Sequence, residues 1–127
     1  MTLHRSIPAD PGAPRAARNA VKDFLNGLGA DPGALSDVLL AVSEVVTNCV
    51  VHAYRDHPGG TVDIEARRNG DKLVLSVADD GSGMAPRHDS PGLGLGLPLV
   101  GRVAERVDIT AQDGGGTRVS MSFDLDR

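Results

Sequence analysis

Apolar residues recur at intervals of three and four along two segments of the N-terminal half, the spacing of one buried helix face. The first segment runs from about residue 13 to 28 and follows a proline-rich loop. The second runs from about Pro32 to Tyr54, and Asp31 directly before it is suited to cap a helix N-terminus. The pattern therefore predicts two helices that pack their apolar faces into one core.

The rest of the chain alternates between apolar and polar residues, which predicts half-buried strands. The predicted strands are 2–7, 61–68, 72–78, 107–111 and 117–125, and a third helix is predicted from about Leu97 to Glu105. The pair Asn69-Gly70 is typical of a type I′ hairpin turn. The order β, α, α, β, β, α, β, β predicts an α+β two-layer sandwich, with three helices on one face of a mixed, largely antiparallel sheet.

Length and composition limit the class of protein. A chain of 127 residues is expected to form a single domain over residues 1–127, with an aliphatic core because it has no Trp, one Tyr and two Phe. The formal net charge of −4 lacks the basic excess of a nucleic-acid binder, so direct contact with nucleic acid is not expected.

Neither a membrane segment nor a disulfide is expected. No stretch approaches the length of a membrane span and the N-terminus lacks an apolar signal core, which predicts a cytoplasmic protein with no membrane contact. Cys49 is the only cysteine, so no intrachain disulfide can form. Because it lies on the apolar face of the second predicted helix, it is expected to be a packed thiol and not a nucleophile.

A polar row interrupts the second predicted helix. Glu44, Asn48 and His52 step by four, so they lie along one line of the helix. A solvated polar stripe is the alternative interpretation of such a row. Asn48 offers an amide oxygen of the kind that Mg²⁺ shares with phosphate oxygens, and Glu44 can accept a proton from an attacking hydroxyl. The row indicates a metal-bound triphosphate.

Asp79-x-Gly81-x-Gly83 follows the third predicted strand. The simplest interpretation is a turn that ends the strand. A carboxylate at the end of a buried strand nevertheless needs partners, and the amino group of a purine can supply one. Gly81 and Gly83 would let the backbone pass close to a flat base.

A second glycine run, Gly92-x-Gly94-x-Gly96, leads into the third predicted helix. It could be only a flexible connection, but a helix N-terminus after glycines is suited to phosphate. It lacks the lysine of a P-loop and the preceding strand of a dinucleotide fingerprint. The pair Gly116-Thr117 is by itself a turn into the last strand.

Together these segments, in this order over residues 36 to 119, resemble the four sequence boxes of the GHKL superfamily of ATP-binding domains, which share the Bergerat fold. The resemblance implies that Glu44 is the catalytic base, that Asn48 is the Mg²⁺ ligand, and that Asp79 reads adenine with support from Thr117. It implies no clear role for His52. Further nucleotide contacts are implied at Gly81, Gly83, Met84, Gly92, Leu93, Gly94, Leu95, Gly96 and Leu97.

The segment from Ser43 to Tyr54 is similar to that of the anti-sigma factor serine/threonine kinases, the SpoIIAB and RsbW group. This resemblance implies a bacterial kinase that uses ATP and Mg²⁺, phosphorylates a STAS-domain anti-anti-sigma protein, sequesters a sigma factor and forms a homodimer. The segment from Met84 to Pro91 is shorter than the lid of well-studied members. The short segment favours a nucleotide-binding module without phosphotransfer as one alternative. The run Gly-Leu-Gly-Leu-Gly-Leu-Pro from residue 92 also resembles RsbT, a switch kinase of the same superfamily, and a detached histidine-kinase catalytic domain is a third alternative.

Overall fold

The computed structural model describes residues 2–53, 59–80, 97–112 and 115–126, apart from the side chains of residues 52, 53 and 97. The predicted order of elements is confirmed. The strands are β1 (Thr2–Pro8), β2 (Thr61–Asn69), β3 (Lys72–Asp79), β4 (Arg106–Ala111) and β5 (Thr117–Asp124). The helices are α1 (Ala13–Gly27), α2 (Pro32–Asn48) and α3 (Leu97–Val103), and a π-helical turn over Cys49–Ala53 continues α2.

The five strands form one open sheet in the order β1-β2-β3-β5-β4, and every neighbouring pair is antiparallel. Residues directly opposite each other share a face of the sheet. The register aligns Val62 of β2 with Asp79 of β3, and Ala78 of β3 with Arg118 of β5. Asp79 and the first residue of β5, Thr117, therefore lie at the same end of adjacent central strands.

The core fills the space between one face of the sheet and the helices, as predicted. The buried sheet residues include Ile64, Leu75 and Met121, all on the face that α1 and α2 cover. α3 packs against α2 and contributes buried Val100. Since the buried side chains are almost all aliphatic, the predicted core composition and the α+β two-layer architecture are confirmed.

Helix α2 begins as predicted. The Asp31 carboxylate accepts hydrogen bonds from the backbone N–H groups of Gly33 and Ala34, at 2.9 and 3.4 Å, and Pro32 occupies the first turn. This cap satisfies donors that the first helical turn leaves without an intrahelical partner. It fixes the start of the helix that carries the candidate site at its other end.

The expectation that no segment approaches the length of a membrane span was wrong. The helical stretch Pro32–Val51 is long and apolar enough to cross a membrane by length and composition. The core helix of a soluble protein passes the same test. Here the apolar face of the helix, with Val38, Val42 and Val45, is buried in the core, which accounts for its composition.

The predicted type I′ turn at Asn69-Gly70 was also wrong. Asn69 pairs with Lys72, so the two loop residues are Gly70 and Asp71. Gly70 has a φ of 65°, and no described residue other than glycine has a positive φ. A type I′ turn needs positive φ at both loop residues, whereas type II′ needs it only at the first, as found here.

Candidate functional site

Helix α2 carries Glu44 and Asn48 one turn apart at its C-terminal end. Glu44 is half-buried, and Asn48 is only 8% exposed. Side chains four residues apart on a helix are neighbours, with Cβ atoms about 6 Å apart. A carboxylate that reaches solvent thus lies beside an amide that hardly does.

The Asn48 amide is incompletely satisfied. Its Nδ2 atom is buried and has no hydrogen-bond partner within the part of the chain that the structure describes. Buried polar groups almost always have partners, and exceptions often mark a site where a ligand or water binds. An amide next to a carboxylate also offers the oxygen ligands that Mg²⁺ prefers. The residues present therefore fit a metal–phosphate ligand.

The π-helical turn over Cys49–Ala53 begins immediately after Asn48. π-Turns are rare, and many occur at functional sites. They join residues five apart, so the α-helical period ends at Asn48. The predicted alignment of His52 with Glu44 and Asn48 assumed that this period continued, and the side chain of His52 lies outside the described residues. The row that the structure describes consists of Glu44 and Asn48.

Asp79 is the last residue of β3, and it is 2% exposed. Its side chain shares the helix-covered face with buried Val62, the residue opposite it on β2. Thr117, at the start of β5 on the neighbouring strand, is completely buried. The sheet thus brings together the carboxylate and the hydroxyl that the sequence predicted to act as a pair.

Cys49 connects the helix to the strand. Its Sγ lies 3.9 Å from Asp79 Oδ2, where the thiol can donate a weak hydrogen bond. Burial, followed by the Asp79 charge and this hydrogen bond, raises the pKa of the thiol strongly. The thiol therefore stays protonated and remains a donor. The prediction of a packed, non-nucleophilic cysteine is confirmed as to burial, but sequence reasoning missed its contact with Asp79.

The turn between β4 and β5 closes against the end of β3. Gly116 has a φ of 95°, and a Cβ atom there would lie 2.0 Å from the Asp79 carbonyl oxygen. Gln112 donates from Nε2 to the same oxygen at 3.0 Å. The predicted Gly116-Thr117 pair therefore has a geometric basis, because only glycine fits this approach. Sequence reasoning did not identify Gln112.

Several predicted nucleotide-contacting residues lie outside the described residues. These are Gly81, Gly83, Met84, Gly92, Leu93, Gly94, Leu95 and Gly96. Leu97 is the first residue of α3, and its side chain is likewise outside the described part. Their predicted contacts stay predictions. The described half of the site is formed by the C-terminal end of α2, the end of β3 and the start of β5.

A groove of about 520 Å³ in the described structure lies away from these residues. It is on the opposite, outer face of the sheet and is lined by residues that include His4, Glu65 and Ser76. It contains none of the predicted site residues. The candidate site therefore rests on the buried polar side chains around Asp79 and Asn48, and not on the shape of a described cavity.

Comparison with known sequences is consistent with this geometry. A family profile described as the histidine kinase-like ATPase domain matches residues 7–123. The anti-sigma F factor of Clostridium beijerinckii is 33% identical over 114 residues, which are 81% of this chain and 80% of that protein. The anti-sigma F factor of Clostridium kluyveri is 34% identical over 116 residues, 83% of this chain and 81% of that protein.

Solved structures share the fold. The RsbU and RsbW domains of Rv1364c from Mycobacterium tuberculosis match with a TM-score of 0.79 and 28% identity, covering 100% of this chain and 33% of that chain. This chain thus spans about a third of that protein's structure. A chain of the SiaB–SiaC complex from Pseudomonas aeruginosa matches with a TM-score of 0.73 and 16% identity, covering 95% of this chain and 88% of that chain. At that identity the likeness concerns the fold alone.

Proposed function

The chain belongs to the histidine kinase-like ATPase family, and from this premise we propose that it is an ATP-dependent protein kinase that acts as an anti-sigma factor. Membership of the family implies ATP binding. Relatives named anti-sigma F factor match along most of their length, which supports the anti-sigma role. The single domain would extend over residues 1–127.

One observation carries the proposal. The buried Asn48 amide has a nitrogen with no hydrogen-bond partner among the described residues, and the next residue, Cys49, contacts Asp79 through its thiol. The half-buried Glu44 carboxylate is one helical turn away. A proton acceptor, an amide with spare hydrogen-bonding capacity and a buried carboxylate near the end of one helix suit phosphoryl transfer from a bound purine nucleotide.

Each residue would have a distinct task. Asp79 would accept a hydrogen bond from the adenine amino group, and Thr117 would support that carboxylate. Asn48 would hold Mg²⁺ through its amide oxygen. Mg²⁺ would supply positive charge to offset that of the phosphate oxygens. Glu44 would take the proton of a Ser or Thr hydroxyl. At the same time the hydroxyl oxygen would bond to the γ-phosphorus, and the bond from the γ-phosphorus to the oxygen that leaves with ADP would break.

The glycine runs would complete the pocket. Backbone at Gly81, Gly83 and the 92–96 segment would line the base and phosphates, together with Met84 and Leu97. This part of the proposal rests on the sequence resemblance. It predicts that replacing these glycines with residues that carry a side chain weakens ATP binding and leaves the described core intact.

The proposed protein partners are those implied by the resemblance to the SpoIIAB and RsbW group. The phosphoacceptor would be a STAS-domain anti-anti-sigma protein, and the regulated target a sigma factor. We infer a homodimer located in the cytoplasm, with no direct contact to nucleic acid or membrane. The naming of the relatives as anti-sigma F factors supports a sigma factor as target.

Phosphotransfer to a candidate STAS protein tests the proposal. The purified chain, mixed with γ-labelled ATP, Mg²⁺ and the STAS protein, should label that protein on Ser or Thr. The label should survive acid, because phosphoserine is acid-stable and phosphohistidine is not. Acid-labile label would instead favour a detached histidine-kinase domain.

Glu44→Gln provides the matched variant, because it keeps the shape of the side chain and removes the base. It should bind ATP like the wild type. It should transfer phosphate at least about 100-fold more slowly, because a general base usually accelerates a reaction by about 10² or more. Equal labelling by both proteins would show that Glu44 is not the base, and labelling by neither would contradict the kinase proposal. Nucleotide-dependent capture of a sigma factor without any labelling would favour the non-enzymatic module.

A further inference from the structure

The last backbone carbonyl of β3 accepts a hydrogen bond from a side chain that is distant in the sequence. Gln112, directly after β4, donates from Nε2 to the backbone oxygen of Asp79 at 3.0 Å. Its own backbone is fixed on both sides, because its N–H donates to Gly116 O at 3.0 Å and its carbonyl accepts from Gly115 N at 3.2 Å. Gln112 is thus anchored in the turn while its side chain reaches across to Asp79.

Arg118 holds the other end of the same amide. Its Nη2 donates to Gln112 Oε1 at 3.5 Å, and its Nη1 donates to Ser76 Oγ at 2.9 Å. The guanidinium also lies 3.7 Å from Glu65 Oε2. Arg118 is therefore tied to two neighbouring strands, and its position relative to Gln112 is set by the sheet.

The chemistry of these partners fixes the orientation of the amide. A guanidinium can only donate hydrogen bonds, and a backbone carbonyl can only accept them. The oxygen of Gln112 must consequently face Arg118, and its nitrogen must face Asp79. A flipped amide would present two donors to each other and two acceptors to each other, so the two contacts reinforce one arrangement.

We infer that Gln112 is a positioning residue, oriented by Arg118, that holds Asp79 in the geometry required for adenine selectivity. The inference rests on the proposed role of Asp79 in reading the base. The Asp79 carbonyl and carboxylate branch from the same Cα atom, so a shift of the carbonyl moves the carboxylate. Hydrogen bonds weaken steeply with such displacement, and selectivity for the amino group of adenine depends on one of them.

Base selectivity is the readout that separates positioning from a merely structural role. ITP differs from ATP in having a carbonyl in place of the amino group, so a carboxylate that reads this group should favour ATP. The test measures dissociation constants for both nucleotides by calorimetry, together with thermal unfolding. A merely structural defect would weaken both nucleotides equally and leave their ratio unchanged.

Gln112→Glu and Gln112→Met are the informative variants. Glutamate still accepts from Arg118 but cannot donate to the Asp79 carbonyl, and methionine does neither. Both should lower the ratio of ATP affinity to ITP affinity by about 5- to 10-fold, which corresponds to the loss of one hydrogen bond. Arg118→Met leaves the Gln112 donor in place but removes the guanidinium that orients the Gln112 amide, so it should lower the affinity ratio by a smaller factor. Arg106→Met, the matched loss of an exposed arginine that pairs with Asp108, should leave the ratio unchanged.

Asp79→Asn distinguishes the two ways in which the inference can fail. If Asp79→Asn collapses the ratio while both Gln112 variants and Arg118→Met retain the wild-type ratio, Gln112 has no positioning role and the proposed adenine site stands. If Asp79→Asn itself retains the wild-type ratio, the adenine assignment is overturned and this inference with it. Should the Gln112 variants fail to fold, the folded Arg118→Met protein decides between these results.

Discussion

The Cys49 thiol lies 3.9 Å from the Asp79 carboxylate, so the end of helix α2 and the end of strand β3 meet through a sulfur–oxygen contact. Both side chains are buried, Cys49 completely and Asp79 to 98%. Asn48 immediately precedes Cys49 in the chain. The contact therefore fixes the distance between the two parts of the proposed nucleotide site, one on the helix and one on the sheet.

Burial of Cys49, reinforced by this contact, should make the stability of the protein dependent on pH in the alkaline range. The pKa of Cys49 is raised in the folded state, first by burial and then by the Asp79 charge. Above the unfolded-state thiol pKa of about 8.5, the unfolded chain loses a proton that the folded chain keeps. Stability should therefore fall as pH rises, by about 1.4 kcal/mol between pH 7 and pH 9.5 from this group alone.

Urea unfolding of the wild type and Cys49→Ala at pH 7 and pH 9.5 checks this expectation. The alanine variant starts from a lower stability because it loses packing, but the thiol-dependent part of its decline should be absent. The comparison uses the difference between the two pH values within each protein, so the packing loss cancels. An equal decline in both proteins would show that Cys49 does not titrate as the contact requires.

Replacement of Gly116 should be far more damaging than replacement of its neighbour. A Cβ atom at Gly116 would lie 2.0 Å from the Asp79 carbonyl oxygen, in addition to the positive φ of 95°. Gly116→Ala should lower the unfolding free energy by about 3 kcal/mol or more and abolish ATP binding, since Asp79 must move. Chemical denaturation and calorimetry with ATP measure the two effects.

Gly115 provides the matched control. It also has a positive φ, of 109°, but a Cβ atom there would meet nothing within 4 Å. Gly115→Ala should thus cost only the backbone strain, about 1 to 2 kcal/mol, and keep ATP affinity near that of the wild type. Similar effects of both variants on ATP binding would refute the importance of the close approach at Asp79.

The fold was predictable because its elements have regular periods. The helical spacing of apolar residues located α1 and α2, and the alternation in β2, β3 and β5 located the central strands. The errors came from local geometry that a period does not contain. At the β2–β3 hairpin, the pair Asn69-Gly70 suggested one turn type, but the pairing of Asn69 with Lys72 moved the turn by one residue.

The candidate site was predictable only where a residue type itself suggests chemistry. Glu44, Asn48, Asp79 and Thr117 were identified from their boxes, and the structure brings Asp79 and Thr117 to the same end of adjacent strands. Gln112 could not be found in this way. It acts through a contact with Asp79, 33 residues away in the chain, and an isolated glutamine after a strand has no sequence pattern that predicts such a partner.

The Asp31 cap should contribute to stability without affecting chemistry. Asp31→Ala removes the acceptor for the N–H groups of Gly33 and Ala34, which should cost about 1 kcal/mol of unfolding free energy. Asp31→Asn keeps an acceptor oxygen and should cost much less. Because Asn48 lies 17 residues further along the helix from Asp31, ATP affinity measured on the folded proteins should be the same in all three. Weaker ATP binding by Asp31→Ala would show that the start of α2 controls its functional end.

Asn48 should show a conflict between stability and function. Its buried Nδ2 lacks a described partner, and such a group costs about 1 to 3 kcal/mol of desolvation. Asn48→Leu, which has the same branching without polar atoms, should therefore raise the unfolding free energy of the nucleotide-free protein by about 1 kcal/mol. The same variant should lose the thermal stabilisation that Mg²⁺ and ATP give the wild type. Thr47→Val, at the exposed neighbouring position, should change neither quantity. If Asn48→Leu lost stability and still responded to Mg²⁺ and ATP, the amide would be part of the packing and not of a ligand site.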